Sequence, residues 1–263
     1  MQMIETPPDN VEPQRPRPPD PEETRFLEGP HDRREVELFS AVRIFLEFIR
    51  GFRKFHFLGP CVTVFGSARF TEDHPYYQLA RDVGYQLAKK GFTVVTGGGP
   101  GIMEAANRGA KEAGGITMGA NIRLAHEQQA NRYLDHFMTF KYFFVRKVML
   151  VKYSYAFIVL PGGLGTLDEV FETATLVQTH KIRDFPIVIL GQSFWRPMLD
   201  FLRDTLVTEG TIDPMDLHYF YPTDDPAAAA EYVRDIAIRK FGLRYAKTPG
   251  SPKLRKRRWW LFE

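Results

Sequence analysis

The chain has 263 residues, a formal net charge of +3 and a 44% share of hydrophobic residues. This length fits one large α/β domain with extensions or two small domains, and the near-neutral body gives no argument for nucleic acid as a partner. The single cysteine, Cys61, excludes a disulfide within the chain and a cysteine-rich metal site. Without a membrane-length apolar run or a signal peptide, we expect a cytoplasmic protein with no membrane partner.

Composition divides the chain into four parts. Residues 1–32 are rich in Pro, Glu, Asp and Arg and predict a disordered tail. Residues 33–58 carry apolar side chains at helical spacing and predict an amphipathic helical extension, with Gly51 as the place where it could break. The wide apolar stripe of this helix must pack against the domain or a second subunit, which argues against a monomer. Residues 59–243 predict the folded domain, and residues 244–263 form a basic tail.

Strands and helices alternate through the predicted domain. Continuous apolar runs predict buried strands, and the segments between them have helical periodicity. The predicted strands are 62–65, 92–96, 116–122, 137–140, 156–160, 186–190 and a short one at 217–221. The predicted helices are 76–90, 102–113, 142–153, 166–180, 194–209 and 226–241. This alternation predicts an α/β fold in which a doubly wound parallel sheet has helices on both faces.

Three glycine-bearing turns, Gly66–Ala68, Gly97–Gly101 and Pro161–Gly165, follow predicted strands. The carboxyl ends of parallel strands meet at one edge of a sheet, where ligands of this fold class bind. In the third turn, glycines allow close backbone approach and the following helix offers free N–H groups, which suits a phosphate. Asp168 and Glu169 lie in the first turn of that helix, either as caps that favour the helix dipole or as groups within reach of the ligand.

Two common nucleotide motifs do not match. Gly97–Gly101 follows the second strand and has no acidic residue about 20 positions on, so the dinucleotide fingerprint is not met. The chain contains no G-x-x-x-x-G-K-[ST] sequence, which argues against a P-loop nucleotide hydrolase. A tight turn without a ligand remains the alternative for any single turn, whereas three turns at one edge favour a site.

Three motifs together point to one family. Pro161–Glu169 reads PGGLGTLDE and fits P-G-G-x-G-T-x-x-E, Arg146-Lys147 lies upstream, and Gly97–Ala110 reads GGGPGIMEAANRGA. They resemble the LOG (Lonely Guy) family of nucleotide-binding, Rossmann-like proteins, which includes cytokinin riboside 5′-monophosphate phosphoribohydrolases. The resemblance is strong from about residue 60 to 180. The N-terminal helix is similar to the longer bacterial branch, which implies a homo-oligomer, a dimer or higher, with a hexamer among the options.

The resemblance implies roles for individual residues. The 5′-phosphate is held by Gly162, Gly163, Gly165 and Thr166, and the catalytic pair is Arg146 and Glu169. Further substrate contacts implied by the resemblance are Lys147, Glu127, Thr175 and Asp168, the last standing where many members have a second glutamate. On geometry alone, Ser67 and Gly98 lie on turns suited to help with the phosphate.

The implied reaction is hydrolysis of the N-glycosidic bond of AMP or an N6-substituted AMP, giving free base and ribose 5-phosphate. Breaking this bond builds positive charge on the ribose, which a carboxylate such as Glu169 stabilises while it orients or deprotonates a water. Arg146 holds ribose hydroxyls or phosphate and keeps Glu169 ionised. No metal or cofactor is required by this chemistry.

Other functions compete with this one. A non-catalytic nucleotide or molybdenum-cofactor carrier would use the same edge without turnover, and it has less need of both Arg146 and Glu169. Without Arg146 and the glycines, a helix cap would be the better interpretation of Glu169, and the Arg146-Lys147 pair a solvated helix face. An amino-acid decarboxylase that uses pyridoxal phosphate needs a Schiff-base lysine, and the phosphate turn has no evident lysine partner, so we reject it.

Overall fold

A parallel sheet with helices on both faces forms the domain. The structure, a computed structural model, describes residues 34–123, 130–183, 185–245 and 254–255. In chain order the elements are α1 (Arg34–Phe55), β1 (Cys61–Phe65), α2 (Pro75–Lys89), β2 (Thr93–Thr96), α3 (Ile102–Glu112), β3 (Thr117–Ile122), β4 (His136–Phe140), α4 (Phe143–Tyr153), β5 (Ser154–Val159), α5 (Leu164–Gln178), β6 (Ile187–Ile189), α6 (Gln192–Phe201), β7 (Phe220–Pro222), α7 (Pro226–Arg239), β8 (Arg244–Tyr245) and β9 (Leu254–Arg255). The predicted tail of residues 1–32 and most of 244–263 lie outside the described residues.

The sheet has the order β4-β3-β2-β1-β5-β6-β7, and its neighbouring strands pair in parallel. The chain builds one half outward from β1 to β4 and then returns to place β5 on the other side of β1. The β1–β5 boundary is therefore the topological switch point, whose carboxyl edge is the usual ligand site of this architecture. The predicted doubly wound α/β class is confirmed.

Each face of the sheet has its own buried core. One core packs α2, α3 and α7 on the sheet and includes Leu87, Ile102 and Val233. The other packs α1, α4, α5 and α6 and includes Phe55, Met149 and Trp195. The strands β1, β2 and β3 are buried along their whole length. Burial on both faces explains why their sequences do not alternate between apolar and charged residues.

Three sequence predictions differ from the structure in detail. The helix α1 continues through Gly51, where a Cβ would lie 2.9 Å from the Met149 sulfur, so the glycine lets α1 and α4 approach each other closely. The predicted helix 194–209 divides into α6 and a π-helical segment, Leu202–Val207. The predicted strand 217–221 is mostly a 3₁₀ helix, Pro214–Tyr219, because Asp213 caps its start.

The helix α1 leaves much of its apolar face in solvent. Leu38, Phe39 and Phe45 are 67%, 66% and 62% exposed, and Val42 and Leu46 are also exposed. The other side of the helix packs on α4 and β4. Among the described residues, no helix combines the length and apolar character that crossing a membrane requires.

Candidate active site

A cavity of about 640 Å³ opens at the carboxyl edge of the sheet, over the β1–β5 boundary. The turns after β1, β2 and β5 all contribute to its wall, as the sequence predicted. Its lining residues are Phe65, Gly66, Ser67, Ala68, Arg69, Gly97, Met103, Asn121, Ile122, Phe143, Arg146, Gly163, Leu164, Gly165, Thr166, Asp168 and Glu169. The cavity thus occupies the position where ligands bind in doubly wound sheets.

The turn after β5 presents free backbone N–H groups to the cavity. The helix α5 starts at Leu164 with no side-chain cap, and Gly163 to Gly165 are exposed. No described group accepts a hydrogen bond from the N–H of Leu164 or Gly165, whereas the N–H of Thr166 already bonds the Gly163 carbonyl at 3.0 Å. Unpaired N–H groups at a helix N-terminus favour an anion such as phosphate.

The three turns are tied together by backbone hydrogen bonds of Ser67. Its N–H donates to the Pro161 carbonyl at 2.9 Å, and its carbonyl accepts from the N–H of Ile102 at 3.0 Å. Its hydroxyl oxygen accepts from the N–H of Arg69 at 3.1 Å, which leaves the hydroxyl proton to donate elsewhere. Ser67 therefore connects the phosphate turn with the start of α3 and also lines the cavity.

Arg146 reaches the cavity from the first half of α4. Its Nε donates to the Ala120 carbonyl at 2.9 Å, and its side chain is only 12% exposed. Its Nη1 lies 3.6 Å from Oε1 of Glu169, beyond ordinary hydrogen-bond length. Burial lowers the pKa of Arg146, and the charge of Glu169 opposes this change. The guanidinium is thus held by the β3 backbone, with donors left to face a ligand.

Glu169 is a buried carboxyl group with an open acceptor. It is 2% exposed, and its Oε2 has no hydrogen-bond partner among the described residues. Burial raises the pKa of Glu169 to about 7, because the charged form loses hydration, and the cations Arg146 and Lys147 only partly offset this. A carboxyl with a pKa near neutral and a free oxygen is suited to acid–base chemistry.

Lys147 has a different role from its neighbour on α4. Its Nζ lies 2.8 Å from a carboxylate oxygen of Asp168 and 2.7 Å from Glu172, and it does not line the cavity. Burial lowers the pKa of Lys147, but the hydrogen bonds to the two carboxylates outweigh burial and raise it. Lys147 therefore joins α4 to α5, and Asp168 is held at the cavity wall by this contact.

Besides Lys147, the predicted residues Gly98, Gly162 and Thr175 are not among those that line the cavity. The N–H of Gly98 donates to Thr96 Oγ1 at 2.9 Å, and the neighbouring Gly97 lines the cavity in its place. Thr175 is exposed and donates to the Phe171 carbonyl at 2.8 Å on another side of α5. Glu127 lies outside the described residues.

Two polar residues of the cavity were missed by sequence reasoning. Arg69 is exposed at the cavity mouth, and no described carboxylate pairs with its guanidinium. Asn121 lies near the end of β3 and is 8% exposed. Arg69 follows the first glycine turn by one residue, and this position was a signal available in the sequence. Asn121 lies inside an apolar strand, where the sequence gives no such signal.

Comparison with known proteins identifies the relatives of this chain. A family model described as "Possible lysine decarboxylase" matches residues 103–233. The cytokinin riboside 5′-monophosphate phosphoribohydrolase of Rhodococcoides fascians is 32% identical over 162 residues, which are 58% of this chain and 78% of the relative. The protein of the same name from Mycobacterium tuberculosis is 38% identical over 117 residues, 43% of this chain and 61% of that protein. A solved structure, the molybdenum cofactor carrier protein of Chlamydomonas reinhardtii, has a TM-score of 0.52 at 24% identity and covers 69% of this chain and 99% of its own.

The structural likeness defines the class, a Rossmann-like α/β protein of the doubly wound type. The sequence likeness is more specific, since it extends over most of the length of relatives at 30% identity or more. The chain belongs to the LOG family, the family of the cytokinin riboside 5′-monophosphate phosphoribohydrolases.

Proposed function

We propose that this protein hydrolyses the N-glycosidic bond of AMP or an N6-substituted AMP, releasing the free purine and ribose 5-phosphate. The observation that carries the proposal is the placement of Glu169. Its carboxyl is 2% exposed, has an unpartnered oxygen and lies within the first two turns of the helix whose free N–H groups suit the phosphate. The names of its relatives support the same reaction.

The phosphate end of the substrate would be held at the start of α5. The N–H groups of Leu164 and Gly165 and the hydroxyls of Ser67 and Thr166 are the donors that the cavity offers there. Arg69 at the mouth adds a positive charge. Such binding fixes the ribose relative to Glu169 and supplies binding energy remote from the bond that breaks.

The chemical step breaks the bond between C1′ and the purine nitrogen and forms a bond from C1′ to a water oxygen. The electron pair of the broken bond leaves with the base, which takes up one proton from solvent, and Glu169 later returns to solvent the proton that it accepts from the water. The ribose becomes positively charged in the transition state, and the ionised form of Glu169 stabilises that charge and accepts a proton from the water. With a pKa of about 7, Glu169 exists in both forms near neutral pH. Arg146 favours the ionised form of Glu169, and its guanidinium would donate to the ribose hydroxyls.

A carrier function is the second candidate, because the fold is shared with a molybdenum cofactor carrier protein. A carrier has no need to bury a carboxyl group without a partner, which costs free energy unless the group acts on the ligand. The Arg146–Glu169 pair therefore favours turnover over carriage.

The description "Possible lysine decarboxylase" implies pyridoxal phosphate, which binds enzymes through a Schiff base to a lysine. No lysine is found among the described residues that line the cavity. The nearest candidate, Lys147, is engaged by Asp168 and Glu172. The residues present do not fit pyridoxal phosphate.

We further propose that a second copy of the chain packs on the apolar face of α1. The protein would then be a homo-oligomer of two or more subunits, up to a hexamer. We propose the cytoplasm as its location. Phe39 and Phe45 are more than 60% exposed on this face. Burying such side chains stabilises by about 1.5–3 kcal/mol each. Light scattering should show that Phe39→Glu combined with Phe45→Glu reduces the subunit number, and an unchanged mass contradicts this interface.

The function is tested by incubating the purified protein with a panel of nucleotides and quantifying free base. We expect adenine or an N6-substituted adenine from the 5′-monophosphate and none from the nucleoside. Glu169→Gln should lower the rate about 10²–10⁴-fold and leave nucleotide affinity largely intact. Glu209→Gln, which changes an exposed carboxylate outside the cavity, should remain close to wild type. Tight AMP binding by the wild-type protein without release of any base would overturn the proposal in favour of a carrier.

A further inference from the structure

The side-chain amide of Asn121 faces the cavity without a partner. Asn121 is 8% exposed and lines the cavity, and none of the described residues hydrogen-bonds to its amide. The preceding residue, Ala120, holds Arg146 through its carbonyl oxygen at 2.9 Å. The amide is thus fixed on a strand beside the catalytic pair, with its donor and acceptor both available.

The other two buried asparagines of the domain contrast with Asn121. Asn107, which is fully buried, accepts hydrogen bonds from Thr96 at 2.7 Å and from Asn131 at 3.1 Å. Asn131, at 9% exposure, also donates to the Gly99 carbonyl at 3.1 Å. The amide atoms of Asn121 are not among the fully buried side-chain atoms that lack a partner, so they are open to the cavity, where a ligand can take both hydrogen bonds.

The position of Asn121 in the sheet indicates which part of the ligand it meets. The phosphate turn follows β5, and β3 is three strands away in the order β3-β2-β1-β5. Three strand spacings amount to about 14 Å, close to the length of a mononucleotide. Glu169 and Arg146 lie between these ends, because Arg146 spans from the Ala120 carbonyl to Glu169. A nucleotide with its phosphate on α5 and its ribose at Glu169 therefore directs its base toward β3.

We propose that Asn121 determines base specificity by hydrogen-bonding the edge of the purine that carries the 6-amino group. A carboxamide offers one acceptor and one donor side by side, which match N6–H and an adjacent ring nitrogen of adenine. An N6-substituted adenine keeps one N–H and still fits. This inference rests on the proposed nucleotide substrate and adds the residue that selects the base.

The test measures equilibrium binding in a Glu169→Gln background, where the nucleotide is not consumed. Three ligands are compared: AMP, purine riboside 5′-monophosphate, which lacks the 6-amino group, and ribose 5-phosphate, which lacks the base. Asn121→Leu should weaken AMP binding about ten- to a hundred-fold, leave ribose 5-phosphate unchanged and remove the preference for AMP over the purine riboside. Asn121→Asp keeps the acceptor alone and should retain part of that preference.

Thr139→Ala is the matched control, because Thr139 pairs with Asn121 in the register of β3 and β4 but is exposed outside the cavity. Thermal unfolding checks for a purely structural role. Asn121→Leu should not lower the melting temperature, because the substitution removes no hydrogen bond within the protein. An equal loss of AMP and ribose 5-phosphate binding, or no loss of either, would overturn the proposal. Base release by the wild-type protein is scored separately, so a failure of hydrolysis and a failure of base recognition give different results.

Discussion

Arg146 contacts Glu169 only at 3.6 Å while its Nε is bonded to the backbone carbonyl of Ala120 at 2.9 Å. The pair is therefore positioned by the sheet and not by a close ion pair of its own. A close bidentate pair would occupy both carboxylate oxygens, whereas this arrangement leaves Oε2 of Glu169 without a partner. The charge of Arg146 still acts on Glu169, because both side chains are withdrawn from water.

The first prediction concerns the pH dependence of activity. Arg146 lowers the pKa of Glu169 against the larger raising effect of burial, so Arg146→Gln should move that pKa above about 7. The acid limb of the kcat profile should shift to higher pH by about 1–3 units. Lys147→Gln should shift it less, because Lys147 is the smaller of the two effects. An acid limb that stays in place in both variants contradicts the role of Glu169 as the ionised group.

The second prediction concerns stability. The pKa of Glu169 is raised from 4.5 to about 7 in the folded protein. Glu169 therefore contributes to the free energy of unfolding in full below pH 4.5. This contribution, on the order of 3 kcal/mol, is lost as pH rises through 7. Glutamine does not ionise, so only the wild-type protein is destabilised as pH rises. The melting temperature of Glu169→Gln minus that of wild type should therefore increase between pH 5 and pH 8. A difference that is independent of pH contradicts the buried, protonatable carboxyl.

The third prediction separates two glycines of the phosphate turn. A Cβ at Gly162 would lie 2.1 Å from Thr166 Oγ1, whereas a Cβ at Gly163 meets nothing within 4 Å. Gly162→Ala should therefore lower the melting temperature as well as AMP affinity. Gly163→Ala should leave the melting temperature unchanged and lower AMP affinity, because its methyl group enters the space assigned to the phosphate. Calorimetry and titration of both variants check this, and wild-type affinity in Gly163→Ala would place the phosphate elsewhere.

The fourth prediction concerns Arg69 at the cavity mouth. If its guanidinium contacts the phosphate, Arg69→Gln should weaken AMP binding about ten-fold and leave adenosine binding unchanged. Arg69→Lys should be intermediate, because it keeps the charge but loses the planar fork. Arg196→Gln removes an exposed arginine outside the cavity and serves as the control. A parallel loss for AMP and adenosine would indicate that Arg69 supports the turn and does not contact the phosphate.

The sequence was sufficient for the architecture and for the central pair. Continuous apolar runs identified the buried strands, and the glycine turns after β1, β2 and β5 do meet at one edge. The pairing of Arg146 with Glu169 was implied by the family resemblance, and the described geometry brings the two together. These predictions succeeded because strand burial and the parallel topology leave few alternatives for the edge of the sheet.

The differences at the candidate site come from side-chain direction, which a motif does not specify. Within the turn Gly97–Gly101, Gly97 lines the cavity, whereas the N–H of Gly98 donates to Thr96 Oγ1. The sequence of the turn does not distinguish these two glycines. Thr175 is six residues after Glu169, or about 240° further around the helix, so it cannot share its face. Asn121 was missed because it reaches the cavity only where β3 extends beyond the end of β2. The last pair between these strands is Thr96 with Gly119, two residues before Asn121.

The location of the cavity at the β1–β5 boundary has a consequence for the cohesion of the sheet. Residues 61–65 and 154–159 pair there across about ninety positions of the chain, and this seam joins the β1–β4 half to the β5–β7 half. A nucleotide that contacts Ser67 on one side and the start of α5 on the other would bridge the two halves. Ligand binding should therefore slow their separation during unfolding, so that nucleotide supply also sets how long each molecule resists proteolysis.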